Sequence, residues 1–170
     1  MLNTTNEDLQ QMREFVNHPN WPFKENWPTE YKTNCISFSL GIPLDNATLF
    51  RNIFSYLNHE QDTIKDSSDL LNSIGFKCRR ISSISEKASD EYAIIVFAYD
   101  YMEYDTFQVC EVTKHEIHFV RVEPDGTWVH KFGWHDKPSI TNFKEIHDVI
   151  LEEDGVDLRA PSALFAISRP

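Results

Sequence analysis

The order of periodicities along this chain predicts an α+β fold, a small N-terminal helical part packed on a mainly antiparallel β-sheet. Apolar residues recur at helical spacing up to about Ser73, and from Phe76 onward they alternate as in strands. At 170 residues the chain is read as a single domain, residues 1–170. That length buries roughly 70% of the surface its unfolded form exposes.

The elements follow in order. Asn6-Glu7-Asp8 ahead of Leu9, Met12, Phe15 and Val16 combines a capping residue, early acids and 3.6-residue spacing, which predicts a first helix. His18-Pro19-Asn20-Trp21-Pro22 breaks it, and packed irregular chain is expected through Trp27-Pro28. Thr33 to Gly41 reads as a short helix with Cys35 in its first turn and Gly41 at its end. Helices are also expected from about Asn46 to Leu57 and from about Ser67 to Ser73, the latter closed by Gly75. Strands are expected at Phe76–Ile81, Tyr92–Tyr99, Phe107–Thr113, Ile117–Val122, Trp128–Phe132 and Ala163–Ser168. There is no internal repeat and no low-complexity tract.

Composition narrows the function classes. A net charge of −11 argues against a nonspecific binder of nucleic acid or anionic membrane, because phosphate binding needs a basic surface. It is compatible with a basic protein partner, but such acidity more often serves plain solubility. Cys35, Cys78 and Cys110 form no CxxC pair, so neither a disulfide framework nor a cysteine-rich zinc site is expected. Cys78 and Cys110 lie in strand patterns and are expected in the core. The longest apolar run, Tyr92 to Tyr99, is far short of a membrane span. The N-terminus has no basic segment followed by an apolar one. The expectation is a cytoplasmic address without a signal peptide, with specialised export or phage delivery left open.

The stretch His118-Phe119-Val120-Arg121-Val122-Glu123-Pro124-Asp125-Gly126-Thr127-Trp128-Val129-His130 carries the chemistry. Pro124 suits the second position of a type I turn, and Gly126 the left-handed position of a three-residue hairpin loop. That loop sets Val122 opposite Trp128 and Val120 opposite His130. His118 and His130 then share a face as diagonal neighbours, about 7–8 Å apart at Cβ. Val120, Val122, Trp128 and Phe132 share that face, which is expected to be buried, while Arg121 and Lys131 are expected to point to solvent. The pair is either two satisfied histidines at the sheet rim or part of an active site. Cys35 is open in the same way. A first-turn thiol meets backbone N–H groups that favour its thiolate, yet buried cysteines are commonly structural.

Asn34-Cys35-Ile36-Ser37-Phe38-Ser39-Leu40-Gly41, taken with the hairpin from His118 to Gly133, resembles bacterial and phage proteins of the NlpC/CHAP papain-like superfamily of cysteine hydrolases. The likeness covers residues 34–41 and 118–133. Ile36, Val120 and Phe132 depart from its pattern at positions that bear on a substrate cleft. The resemblance implies a papain-like fold and a thiol hydrolase of peptidase or amidase type. Cys35 would be the nucleophile, His118 the general base and acid, and His130 the residue orienting His118. Asn142 and Asp136 are alternative orienting residues, and Tyr31 a contributor to an oxyanion site. The substrate implied is a peptide or amide, such as cell-wall peptide or another bacterial acyl compound, with no cofactor. The competing class is a catalytically silent acidic binding or inhibitor module on the same fold, holding a protein partner. His115 and His118 fall on opposite faces of a strand, so no metal site is expected there. The acidic run from Glu152 to Asp157 lacks the ligand spacing of an EF-hand and is read as a solvated turn.

Overall fold

A computed structural model describes residues 6–23, 35–42, 63–132 and 139–170. The expected helix from Asn46 to Leu57 lies outside the described residues, as do Tyr31 and Asp136. The chain mixes helix and strand around an open sheet in which every pairing of described strands is antiparallel.

Helix α1 spans Asn6–Asn17, α2 Cys35–Leu40 and α3 Thr63–Ser73. Strands β1 (Lys77–Ile81), β2 (Tyr92–Asp105), β3 (Cys110–Val122), β4 (Trp128–His130) and β5 (Ser139–Thr141) follow, then helix α4 (Phe143–Asp154) and strand β6 (Ala163–Ser168). The sheet order is β1-β6-β2-β3-β4-β5, with the longest hairpin, β2–β3, at its centre.

Strand alternation divides the sheet into two buried faces. Ile94, Val96, Ile117, Phe119, Phe165 and Ile167 meet the apolar stripes of the first three helices, among them Met12 and Val16 of α1, Ile36 and Leu40 of α2, and Leu70 and Leu71 of α3. Ala93, Ile95, Phe97, Val120, Val122 and Ala166 meet Ile146 and Ile150 of α4. The sheet is therefore the middle of three layers, which is why β2 and β3 read as continuous apolar runs at their centres.

Glycine ends two of the helices as the sequence expects. At α2, Gly41 N–H donates to Phe38 O (3.0 Å) and Ile42 N–H to Ser37 O (3.0 Å), the paired bonds of a Schellman motif, with Gly41 at φ 65°. Gly41 is also a close approach: a Cβ there would lie 2.6 Å from Pro22 Cβ. Trp21 fastens the same corner, its indole N–H donating to Leu40 O at 2.9 Å. The loop after α1 is thus welded to the end of α2, and the peptide between Trp21 and Pro22 is cis.

Three expectations change. The segments 107–113 and 117–122 are one strand, β3, paired with a β2 that runs on to Asp105, and Phe107 lies in the turn between them. The polar stretch that suggests a break, Thr113-Lys114-His115-Glu116, is paired edge to edge with Asp100 to Met102 and their neighbours. Glu152 to Asp154 is not a turn but the last turn of α4, which Asn142 caps and left-handed Gly155 closes. Cys110 is exposed rather than in the core, while Cys78 is half-buried and packs against the core's margin. The described helices include none long and apolar enough to cross a membrane.

Candidate functional site

The hairpin after β3 adopts the expected register. Val122 pairs with Trp128 and Arg121 with Val129, Gly126 sits at φ 90°, and Glu123 N–H donates to Thr127 O at 2.8 Å. His118 and His130 therefore emerge on one face, where His118 Nε2 and His130 Nδ1 are 3.1 Å apart. Phe132 stacks on the His118 ring with centroids 4.4 Å apart and planes 12° from parallel. Both imidazoles are 5% exposed. Burial, reinforced by the neighbouring His130, pushes the His118 pKa down to about 3, so His118 is neutral at physiological pH. One hydrogen bridges the two nitrogens, and which ring donates it depends on the tautomer. If His118 Nε2–H is the donor, its Nδ1 carries the lone pair.

Cys35 approaches the same strand from the other layer. Helix α2 runs along β3 beyond the stretch paired with β4, and its hydrogen-bonding side chains keep step with the strand. Cys35 Sγ lies 3.9 Å from Ile117 O, and Ser39 Oγ donates to Phe119 O at 2.8 Å. Residues one helical turn apart are separated by about 6 Å along the axis, close to the roughly 6.6 Å between alternate strand residues, so the two rows match. The Phe119 backbone N–H also reaches Cys35. The thiol thus lies against the main chain on both sides of His118. No hydrogen bond joins Cys35 to His118 or His130. Burial pushes the thiol up to about 11; the Glu116 charge adds to this, and the backbone N–H groups of Phe119, Ile36 and Cys35 itself oppose it. At rest the site holds a protonated thiol and a neutral imidazole.

Arg121 corrects the expectation of a solvated residue and was not foreseen as part of the site's framework. It is 1% exposed, its Nη1 donating to Phe38 O at 2.7 Å and its Nε to Glu123 Oε1 at 2.9 Å. The guanidinium lies over the Phe38 ring, 5.2 Å from its centroid. A cation thereby meets the carbonyl end of α2, where the helix dipole favours positive charge. Lys131 is also buried, against expectation. The signal was available: Arg121 is two residues from Phe119 and shares its face. A sheet with one wet face would send Arg121 to solvent, but here helices cover both faces.

Asn142 is the N-cap of α4, its Oδ1 accepting the Glu145 N–H at 3.1 Å. The nitrogen partner of His118 in the structure is His130. His115 pairs with Asp100 at 2.6 Å on the face opposite His118, and the described residues hold no group of three or more potential metal ligands.

No protein-family model, curated protein or solved structure matches this chain.

Proposed function

We propose that the protein is a thiol hydrolase of papain-like architecture, acting on an amide or related acyl group with Cys35 as nucleophile, His118 as base and acid, and His130 as the residue that orients His118. The observation that carries this reading is the convergence on one short piece of β3. Cys35 rests on the backbone of Ile117 and Phe119, and the residue between them, His118, has its Nε2 engaged by His130. The two sequence blocks that resemble NlpC/CHAP proteins are the ones that meet here.

The chemistry starts from neutral partners. As Sγ bonds to the carbonyl carbon, the thiol proton passes to His118 Nδ1 and the carbonyl oxygen takes the negative charge. Burial disfavours the imidazolium at rest, but strengthens its attraction to the anion once both have formed. His118 then returns the proton to the leaving nitrogen as the C–N bond breaks. It next takes a proton from the water that attacks the thioester, and that proton returns to sulfur on release of the acid. A peptide of the bacterial cell wall is the substrate class the sequence resemblance suggests.

The test is incubation with a small activated thioester, read by intact-protein mass spectrometry. One acyl adduct on Cys35, absent in Cys35→Ser, with turnover lost in His118→Ala, is the expected result. Acylation confined to exposed Cys110, or none at all, refutes the proposal. A second reading has an observation of its own: the raised pKa and 6% exposure of Cys35 also suit a silent acidic binding module. In that case Cys35→Ser leaves the affinity for its partner unchanged.

A further inference from the structure

The distal half of the β2–β3 hairpin outruns its neighbours. β6 pairs with β2 only as far as Val96, and β4 with β3 only at Arg121 and Val122. Beyond those points β2 and β3 continue to pair with each other to Asp105 and Cys110. The result is a two-stranded arm standing off the three-layered body.

The outer edge of β2 along this arm has its backbone ready for another strand. Ser162 N–H donates to Val96 O (2.8 Å), Ala98 N–H donates to Ser162 Oγ (2.8 Å), and that hydroxyl donates to Ala98 O (3.1 Å). Val96 and Ala98 therefore turn their peptide groups to the β6 side. Strand alternation carries the same orientation to Asp100, Met102 and Tyr104. No described residue takes up that row, so the ladder that β6 begins stops short while β2 goes on.

The side chains beside this edge divide by face. Met102 and Tyr104 on one face are 57% and 58% exposed. Asp100, paired with His115, shares that face; Glu103 and Asp105 lie on the other with Tyr99 and Tyr101, Lys114 Nζ standing 3.6 Å from Glu103 and Asp105 Oδ1 accepting the N–H groups of Phe107 and Gln108. Asp100, Glu103, Asp105, Glu111 and Glu116 outweigh Lys114 and His115 in the arm as a whole. Proteins ordinarily blunt a free edge with a short strand, a proline or lysines, because such an edge recruits other chains. This one is long and proline-free, and it ends in a turn with Phe107 98% exposed and Val109 held at φ 55°, a left-handed conformation rare for a β-branched residue.

We propose that the β2 edge from Tyr99 to Asp105 is a strand-addition site for an extended segment of a partner protein in which basic and apolar residues alternate. The added strand continues the line of β6. Its N–H and C=O groups pair with Asp100, Met102 and Tyr104, its apolar side chains cover Met102 and Tyr104, and its lysines or arginines face Glu103 and Asp105. Charge argues for this occupant over a second copy, since a chain of net charge −11 repels its own acidic arm. The inference is independent of any chemistry at Cys35.

The experiment is an amide-resolved NMR titration of the full chain with a short synthetic peptide of alternating lysine and leucine, and with its glutamate-leucine counterpart. The lysine peptide is expected to shift resonances of Tyr99 to Asp105 and to slow hydrogen exchange at Asp100, Met102 and Tyr104; the glutamate peptide is not. Met102→Pro removes an outward N–H without touching the β2–β3 ladder, so the variant keeps its native spectrum and loses affinity by about tenfold or more. Glu103→Lys weakens the lysine peptide. No shift on the arm, shifts spread over the whole acidic surface, or unchanged affinity in Met102→Pro overturns the proposal. So does concentration-dependent broadening of the arm without peptide, which makes the occupant a second copy.

Discussion

Acid should unfold this protein through His118, and the slope can be worked from the site. The folded pKa is pushed to about 3, against an ordinary value of 6.5. Between those values the unfolded chain binds the His118 proton and the folded chain does not. Stability therefore rises with pH in that window: the contribution is complete above about pH 6.5 and is lost as pH falls toward 3. One proton of difference is worth about 1.4 kcal/mol per pH unit. Lowering the pH from 6 to 4 then removes on the order of 2–3 kcal/mol through this group alone, a large share of the 5–15 kcal/mol typical of a domain. The assay is urea unfolding at pH 7, 6, 5 and 4 for the wild type and for His118→Leu. Groups distant from the pair titrate alike in both proteins, so the difference between the two curves reports His118 together with its hydrogen-bonded partner His130. Wild-type stability should fall more steeply by about one proton's slope. Parallel curves refute the neutral, buried imidazole.

Three further outcomes are expected. With its thiol pushed up to about 11, Cys35 is about one part in ten thousand thiolate at pH 7; iodoacetamide should modify exposed Cys110 first and Cys35 at least about 100-fold more slowly, as peptide mapping will read. Arg121→Met strips a guanidinium from a buried carboxylate and from the end of α2, which should lower stability by about 3–5 kcal/mol in denaturant melts. Adding Glu123→Leu should recover part of that loss. Gly41→Ala combines a left-handed backbone with the 2.6 Å clash against Pro22, for a loss of at least about 2 kcal/mol. The same change at Gly126, where nothing lies within 4 Å, should stay within about 1–2 kcal/mol by the same melts.

What was legible in the sequence was whatever local chemistry decides. Gly41 and Gly75 ended their helices because only left-handed backbone satisfies the last carbonyls there. The Pro124-Asp125-Gly126 turn fixed the register, and with it the meeting of His118 and His130, because a change of one residue in the loop would have turned one imidazole to the other face. What was not legible depended on a distant partner. Arg121 looks like a surface residue until α2 is laid along β3 and offers it the Phe38 carbonyl. Helix α4 was hidden because Glu152, Glu153 and Asp154 stand at its C-terminal end, where the dipole disfavours acids; its apolar face, Ile146 and Ile150, becomes visible only against Ile95 and Val120. The polar middle of β3 reads as a loop because its pairing with β2 asks nothing of side-chain hydrophobicity.

The two halves of the candidate site are held by different layers and communicate through one strand. The odd residues of β3, Ile117, Phe119 and Arg121, receive α2 and so set the height of Cys35; the even ones, His118 and Val120, face α4 and set the imidazole. Each side is stiffly held: α2 by the Cys35, Ser39 and Arg121 contacts and the Trp21 bond to Leu40, His118 by His130 and the stacked Phe132. The thiol and the imidazole are brought to the same point of the chain by the pleat of β3, which sends neighbouring side chains to opposite faces while the backbone between them is shared. A strand edge is the one place where a group on one face can reach a group on the other without crossing the sheet, and α2 occupies that edge because β4 pairs with only Arg121 and Val122. The shortness of β4 thus leaves this edge of β3 to α2: a longer strand would satisfy the Ile117 and Phe119 carbonyls itself and exclude the helix that carries Cys35.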